Sequence, residues 1–158
     1  MKKLFLVLAL VALTTGGFSM IETLSLEQLA AKSDLIVFAN VLGVKNTGQL
    51  PEGVGVVANL IEITEVLKGD LSKGEKVKIK TFAGVEDSAA FSEGKKYLLF
   101  LQKQDGFYVI TNSIQGSWGI AEDGSFTGMG TGKNLADVKK AISAKPLKFQ
   151  PKVPDLQL

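Results

Sequence analysis

The stretch Leu60-Ile61-Glu62-Ile63-Thr64-Glu65-Val66-Leu67-Lys68-Gly69-Asp70, followed by Lys76-Val77-Lys78-Ile79-Lys80-Thr81-Phe82, decides the fold. Its first part is aliphatic and β-branched, the composition of a strand. Gly69-Asp70 stops that strand, and Ser72-Lys73-Gly74 continues the turn. In the second part Val77, Ile79 and Thr81 alternate with Lys76, Lys78 and Lys80, so one face packs and the other is wet. The two parts read as the central hairpin of a small β-barrel. In the first strand Ile61 and Ile63 share a face while Val66 falls opposite. A bulge near Thr64 or Glu65 restores the register and bends the strand as barrel closure requires.

Working outward, Leu35 to Val44 is apolar on both faces, with Leu35, Val37, Ala39 and Val41 opposite Ile36, Phe38, Leu42 and Val44. A strand of that kind is covered on both sides. Before it, Ser25-Leu26-Glu27-Gln28 has the form of a capping box, with Leu24 and Leu29 as a hydrophobic staple. This predicts a helix over Leu26–Lys32, ended by Ser33-Asp34 and packed across the strand's outer face. Lys45 to Gly55 reads as a loop, from Asn46, Gly48, Pro51, Gly53 and Gly55.

Ala83 to Gly94 is a second loop, small and acidic through Glu86, Asp87 and Glu93. Lys96 to Gln102 is a strand, and Asp105-Gly106 turns it directly into Phe107–Thr111. Asp123-Gly124 joins Ser117–Ala121 to Ser125–Gly128 in a smaller hairpin. Asn134 caps a last helix whose Leu135, Val138 and Ile142 share a face, with Lys139 and Lys140 outside.

At the start, Lys2 and Lys3 precede the apolar run Leu4–Leu13 and then Thr14-Thr15-Gly16-Gly17, the three regions of a secretory signal peptide. Cleavage fits after Ser19, with Gly17 as the alternative. The run is short for a bilayer span, and the absence of cysteine excludes a lipoprotein anchor. The expected division is a leader at 1–19, one domain at 20–144, and an extended tail at 145–158 carrying Pro146, Pro151 and Pro154. The expected location is secreted or periplasmic.

The chain has 18 basic and 16 acidic residues, and every basic residue is a lysine. Losing Lys2 and Lys3 with the leader makes the remainder nearly neutral. Arginine is the preferred residue for bidentate phosphate and base contacts, so its absence argues against a nucleic-acid partner. There is also no cysteine and no histidine. That removes Ser-His-Asp and Cys-His catalysis and any histidine-bearing zinc site. Only carboxylate, lysine, serine or tyrosine chemistry remains, and no cofactor is implied.

Several stretches have the residue types of a site. Gly128-Met129-Gly130-Thr131-Gly132-Lys133 precedes a helix but departs from a P-loop: Thr127 stands at the first glycine's place and Asn134 follows the lysine. Glu62 and Glu65 point to opposite faces unless the bulge intervenes, so they pair as acid and base only through it. Glu86-Asp87 and Glu122-Asp123 lack calcium-loop spacing and read as turns. A serine–lysine dyad from Ser92, Ser113 or Ser117 has no motif behind it.

Two features form the candidate binding surface. Lys76, Lys78 and Lys80 make a basic strip suited to an acidic polymer, an anionic lipid surface or an acidic partner. The same strip also serves as edge protection. Gln115-Gly116-Ser117-Trp118-Gly119 holds the only tryptophan; Trp118, with Gln115, serves as an anchor for a partner or as core packing.

The run Ser33-Asp34-Leu35-Ile36-Val37-Phe38-Ala39-Asn40-Val41, then Glu65-Val66-Leu67-Lys68-Gly69-Asp70, then Phe91 and Gly94-Lys95-Lys96-Tyr97-Leu98-Leu99-Phe100-Leu101, resembles uncharacterised bacterial exported proteins with a netrin-like, tissue-inhibitor-of-metalloproteinase-like OB-fold barrel. The resemblance covers about Ser25 to Gly119 and rests on turn and core residues. It implies the fold. It does not imply metalloproteinase inhibition, which in that family uses an N-terminal cysteine that this chain lacks.

The expectation is an all-β protein with minor α content: a five-stranded OB-like β-barrel with a short N-terminal helix, an added hairpin and a C-terminal helix. The expected function is an exported, non-enzymatic binding or protein-interaction module. Its partner would be another exported or envelope protein, without nucleic acid or stable membrane insertion, and the chain would be a monomer. The alternatives are a small hydrolase using carboxylate or Ser/Lys chemistry, or a structural envelope protein.

Overall fold

A computed structural model describes residues 22–145. The expected leader and most of the expected tail lie outside the described residues. Among the described residues no helix is long and apolar enough to cross a membrane.

The first element among the described residues is α1 (Leu26–Lys32), closed by the expected box: Ser25 Oγ accepts from Gln28 N–H, and Gln28 Oε1 accepts from Ser25 N–H. Six strands follow: β1 (Leu35–Gln49), β2 (Gly55–Lys68), β3 (Lys76–Ala83), β4 (Lys96–Gln104), β5 (Phe107–Ile110) and β6 (Ser117–Gly119). The last element among the described residues is α2 (Leu135–Ser143), with a reciprocal box between Asn134 and Asp137.

The strands run β1-β2-β3-β5-β4, and β4 pairs back to β1, closing a five-stranded mixed barrel of OB-like topology. All pairings are antiparallel except β3–β5, which is parallel and held in register by Ile79 opposite Tyr108. β6 is an added strand on the upper half of β4, placing Trp118 opposite Leu98. Its expected hairpin partner is reduced to one bridge, Ile120 to Phe126.

β1 and β4 explain the layering. Leu35, Val37, Ala39 and Val41 point into the barrel with Leu99, Leu101, Ile61, Ile63 and Ile79. Ile36, Leu98 and Phe100 point outward into a second core with α1, α2 and Trp118. Both faces of β1 and β4 are covered, as their unbroken apolar runs require. Each fully buried aliphatic side chain contributes roughly 1.5–3 kcal/mol by leaving water.

The expected bulge is present. Ala39 pairs with Ile63 and Phe38 with Glu65, leaving Thr64 as the extra residue on β2. A second extra residue on β2, Leu67, and two on β1, Leu42 and Thr47, coil the hairpin further.

The loop expected over Lys45–Gly55 is corrected. β1 continues to Gln49 and β2 starts at Gly55, leaving only residues 50–54 as the turn. Lys45, Asn46, Thr47 and Gly48 carry no apolar period. Their strand state comes from pairing with Ala58, Val57 and Val56 across the hairpin.

Tyr108 pairs with Ile79 of β3 and packs, partly buried, against the barrel core. Burial raises the pKa of its phenol above the usual value near 10, helped by the negative charges of Asp34, Glu75 and Asp70. The neutral form is therefore favoured in the folded state. Stability from this group is fully present below the unfolded value and is lost as pH rises through the folded one. Denaturant midpoints measured from pH 8 upward should hold until about pH 10 and then fall, and Tyr108→Phe should reduce the fall. Equal slopes for both proteins would sink this assignment.

Candidate functional site

The barrel register decides which side chains share the outer face of β2 and β3. Ile61, Ile63, Asn59, Ile79 and Thr81 are buried, so the residues between them face outward. On that outer face Lys76 stands opposite Glu62, Lys78 opposite Leu60, Lys80 opposite Ala58, and Phe82 opposite Val56. Lys76 thus shares its rung with a carboxylate, a favourable cross-strand pair. Lys78 and Lys80 have apolar neighbours instead, so they carry the free positive charge of the strip.

The β4–β5 turn swings Phe107 against this face. The Lys80 ammonium lies 4.0 Å from the centre of the Phe107 ring, well inside cation–π range. Val56, Ala58, Thr47, Lys78, Lys80 and Phe107 line a shallow, solvent-open groove of about 170 Å³. Its floor is aliphatic, and its rim is cationic on the β3 side. Such a surface favours ligands that combine negative charge with a flat apolar face.

A second groove of about 180 Å³ shares Lys80 and continues along Thr81, Phe82, Ser88, Ala89 and Ser113. Here the backbone is strained: Asp87, Asn112 and Ser113 are non-glycine residues at φ 61°, 53° and 55°. Asp87 and Ser113 hold one another. Ser113 Oγ and Ile114 N–H both donate to the Asp87 carbonyl. Ser88 Oγ accepts from Phe82 N–H at 3.3 Å. Ser113 and Lys80 therefore line one groove, but the serine proton is already committed to a main-chain carbonyl, so the pair is not arranged as a nucleophile and base.

The remaining sequence candidates fall as follows. Trp118 is 2% exposed and packs on Phe100 and Phe126 with ring centres 5.0 and 5.4 Å away. Its Nε1–H donates to the Gln115 carbonyl at 2.8 Å. Gln115 is 9% exposed, and its side chain accepts from Leu24 N–H and donates to Leu24 C=O. Both are therefore corrected from surface anchors to internal ties: the second apolar layer leaves neither a face for a partner.

Glu62 and Glu65 do come to one face. The Thr64 bulge puts them opposite Asn40 and Phe38 on the outside of β1. That face is solvated at Glu65, and neither residue lines the grooves just described. Asp123 accepts from both the N–H and the hydroxyl of Ser125, which hold its carboxyl below the usual range and make it a turn residue. Among the described residues no group of three or more acidic, histidine or cysteine side chains is placed to hold a metal ion.

Among the described residues, Asn59 Oδ1 and Asn40 Oδ1 are buried without a hydrogen-bond partner. Asn59 Nδ2 is bonded to the Ile79 carbonyl and to Thr81 Oγ1.

Of the lysine strip, the structure gathers Lys78 and Lys80 into the groove and leaves Lys76 beside it. Phe107, Val56 and Ala58 were not legible as site residues. Phe107 reads as an ordinary strand start, and only the β3–β5 junction brings it to Lys80. No protein-family model matches the chain, and no curated protein matches it.

Proposed function

We propose that the protein is an exported, monomeric binding module, not an enzyme, that takes an acidic ligand on the outer face of β2 and β3. The observation that carries this is the groove in which Lys78 and Lys80 border an aliphatic floor closed off by Phe107. OB-like barrels bind chiefly through this face and the loops beside it. The resemblance to netrin-like barrels supplies a fold-level frame for the reading, without the cysteine chemistry of the metalloproteinase inhibitors. The leader-like start supports a role outside the cytoplasm.

The test is retention on a carboxylated matrix at low salt. Lys78→Ser/Lys80→Ser is compared with Lys139→Ser/Lys140→Ser, which removes the same charge from α2. The groove pair should lose roughly tenfold in affinity, as expected for two exposed charges at up to about 1 kcal/mol each. Equal losses in both would show that only net charge is being read, and the proposed site would fail.

A further inference from the structure

We propose that the ligand of this face is a linear acidic polysaccharide, one whose sugar rings carry carboxylate or sulfate groups. This rests on the reading of the β2–β3 face as a binding surface.

The register extends the groove to a third strand. Ala58 on β2 pairs with Lys80 on β3 and with Lys45 on β1, so the three form one rung. The next rung is Gly43, Leu60 and Lys78. Ala58 is small, so the floor stays low between Lys45 and Lys80; at the next rung Leu60 is the floor, and on the β1 side Glu93 Oε1, which accepts from Val44 N–H, lies beside Gly43. The backbones bearing Lys45 and Lys80 stand two strand spacings apart, about 10 Å. Along β3 the lysines recur every second residue, about 6.6–6.8 Å. The result is a trough along β2 with an aliphatic floor, Lys78 and Lys80 along the β3 rim and Lys45 on the β1 rim. Phe82, 37% exposed, stands on the same face beyond Lys80 and opposite Val56.

Three ligand chemistries carry enough negative charge, and the trough separates them. An extended peptide needs partners for its N–H and C=O groups. Residues 55–62 of β2, the floor of the trough, are paired on one side with β1 and on the other with β3, so an acidic peptide lying along them would leave its own groups unpaired. Single-stranded nucleic acid needs open aromatic faces for its bases. Phe82 offers one open ring and one face of Phe107 is occupied by the Lys80 ammonium, too few to stack successive bases, and the chain has no arginine to grip phosphates with a planar fork. A sugar chain has neither need. Its rings present apolar C–H faces to a flat aliphatic floor and to Phe82. Its charged groups project from the ring edge towards the lysines, and its hydroxyls stay hydrated in an open trough.

The experiment measures binding of the full chain to polygalacturonate, poly-L-glutamate, oligothymidylate and neutral dextran, at about 50 mM and about 200 mM salt. Polygalacturonate should bind about tenfold or more tighter than the other two polyanions, weaken at the higher salt, and outbind dextran. Two variants then separate shape from charge. Lys45→Ser should weaken polygalacturonate by about threefold to fivefold. Ala58→Phe fills the floor and leaves every lysine in place, and should weaken it about tenfold or more. Thr47→Tyr fills the same groove from β1 and replaces Ala58→Phe if that variant melts early.

Poly-L-glutamate or oligothymidylate binding as tightly as polygalacturonate, or filled variants that bind like the parent, would overturn the polysaccharide assignment and leave the basic face as a general anion surface. If no polyanion binds at about 50 mM salt, both this inference and the proposed function fall.

Discussion

Trp118→Ala should lower the stability of the domain by about 3–5 kcal/mol, the range for truncating a buried aromatic, and its melting temperature by about ten degrees or more. The indole is the joint of the outer layer. It touches Phe100 of β4 and Phe126 beyond β6, and its ring lies so close to Gly130 that a Cβ there would sit 2.5 Å from Cδ2. Truncation removes apolar contact on all three sides. It also leaves the Gln115 carbonyl without the indole donor. The check is denaturant unfolding followed by circular dichroism, because the variant has no tryptophan to report. Polyanion affinity should stay unchanged, since Trp118 belongs to the opposite layer. A loss below about 1 kcal/mol would mean that α2 and the Phe126 segment collapse into the gap.

Gly116→Ala should be nearly as damaging, at about 3 kcal/mol, the upper part of the range for overpacking. A Cβ at this position would collide with the Thr111 carbonyl oxygen, and would lie 2.8 Å from Ile110 Cγ2 and 3.0 Å from the Phe100 carbonyl. None of these is the free end of a flexible side chain. The Thr111 N–H donates to the Phe100 carbonyl at 2.8 Å, so the colliding atoms belong to the strand junction itself. Gly124→Ala is the comparison. Gly124 needs φ 83° but has open space around it, so its cost should be only about 1–2 kcal/mol of backbone strain. If the two alanine variants melt together, packing at Gly116 is looser than the geometry indicates.

The groove and the outer core make different demands on the chain. The outer core needs volume and fails when volume changes, as Trp118 and Gly116 show. The groove needs a low side chain, Ala58, between Lys45 and Lys80. Substitutions in it should therefore change affinity while leaving the melting temperature nearly still.

Much of the fold follows from short-range physics. α1 forms where Ser25 and Gln28 can cap each other, and both are within one turn. The Asp105-Gly106 turn forms because Gly106 takes φ 76° at no steric cost. β1 and β4 read as doubly covered because both residue parities are apolar. The bulge at Thr64 was legible because Ile61, Ile63 and Val66 cannot otherwise share a face.

The rest required partners distant in sequence. β1 runs to Gln49 through polar residues because β2 pairs with them, which no local period records. Trp118 and Gln115 looked like surface candidates until α1, α2 and the Phe126 segment closed over them. The site was half legible: the alternation of Lys76, Lys78 and Lys80 was plain, but Phe107 and Lys45 join it only through strand register. The sequence by itself determined where the chain turns, which strands are buried on both faces and where β2 bends, because those depend on neighbours within a few residues. Only the tertiary structure decided which side chains share the outer trough, because barrel closure through β3 and β5 sets contacts between residues far apart along the chain.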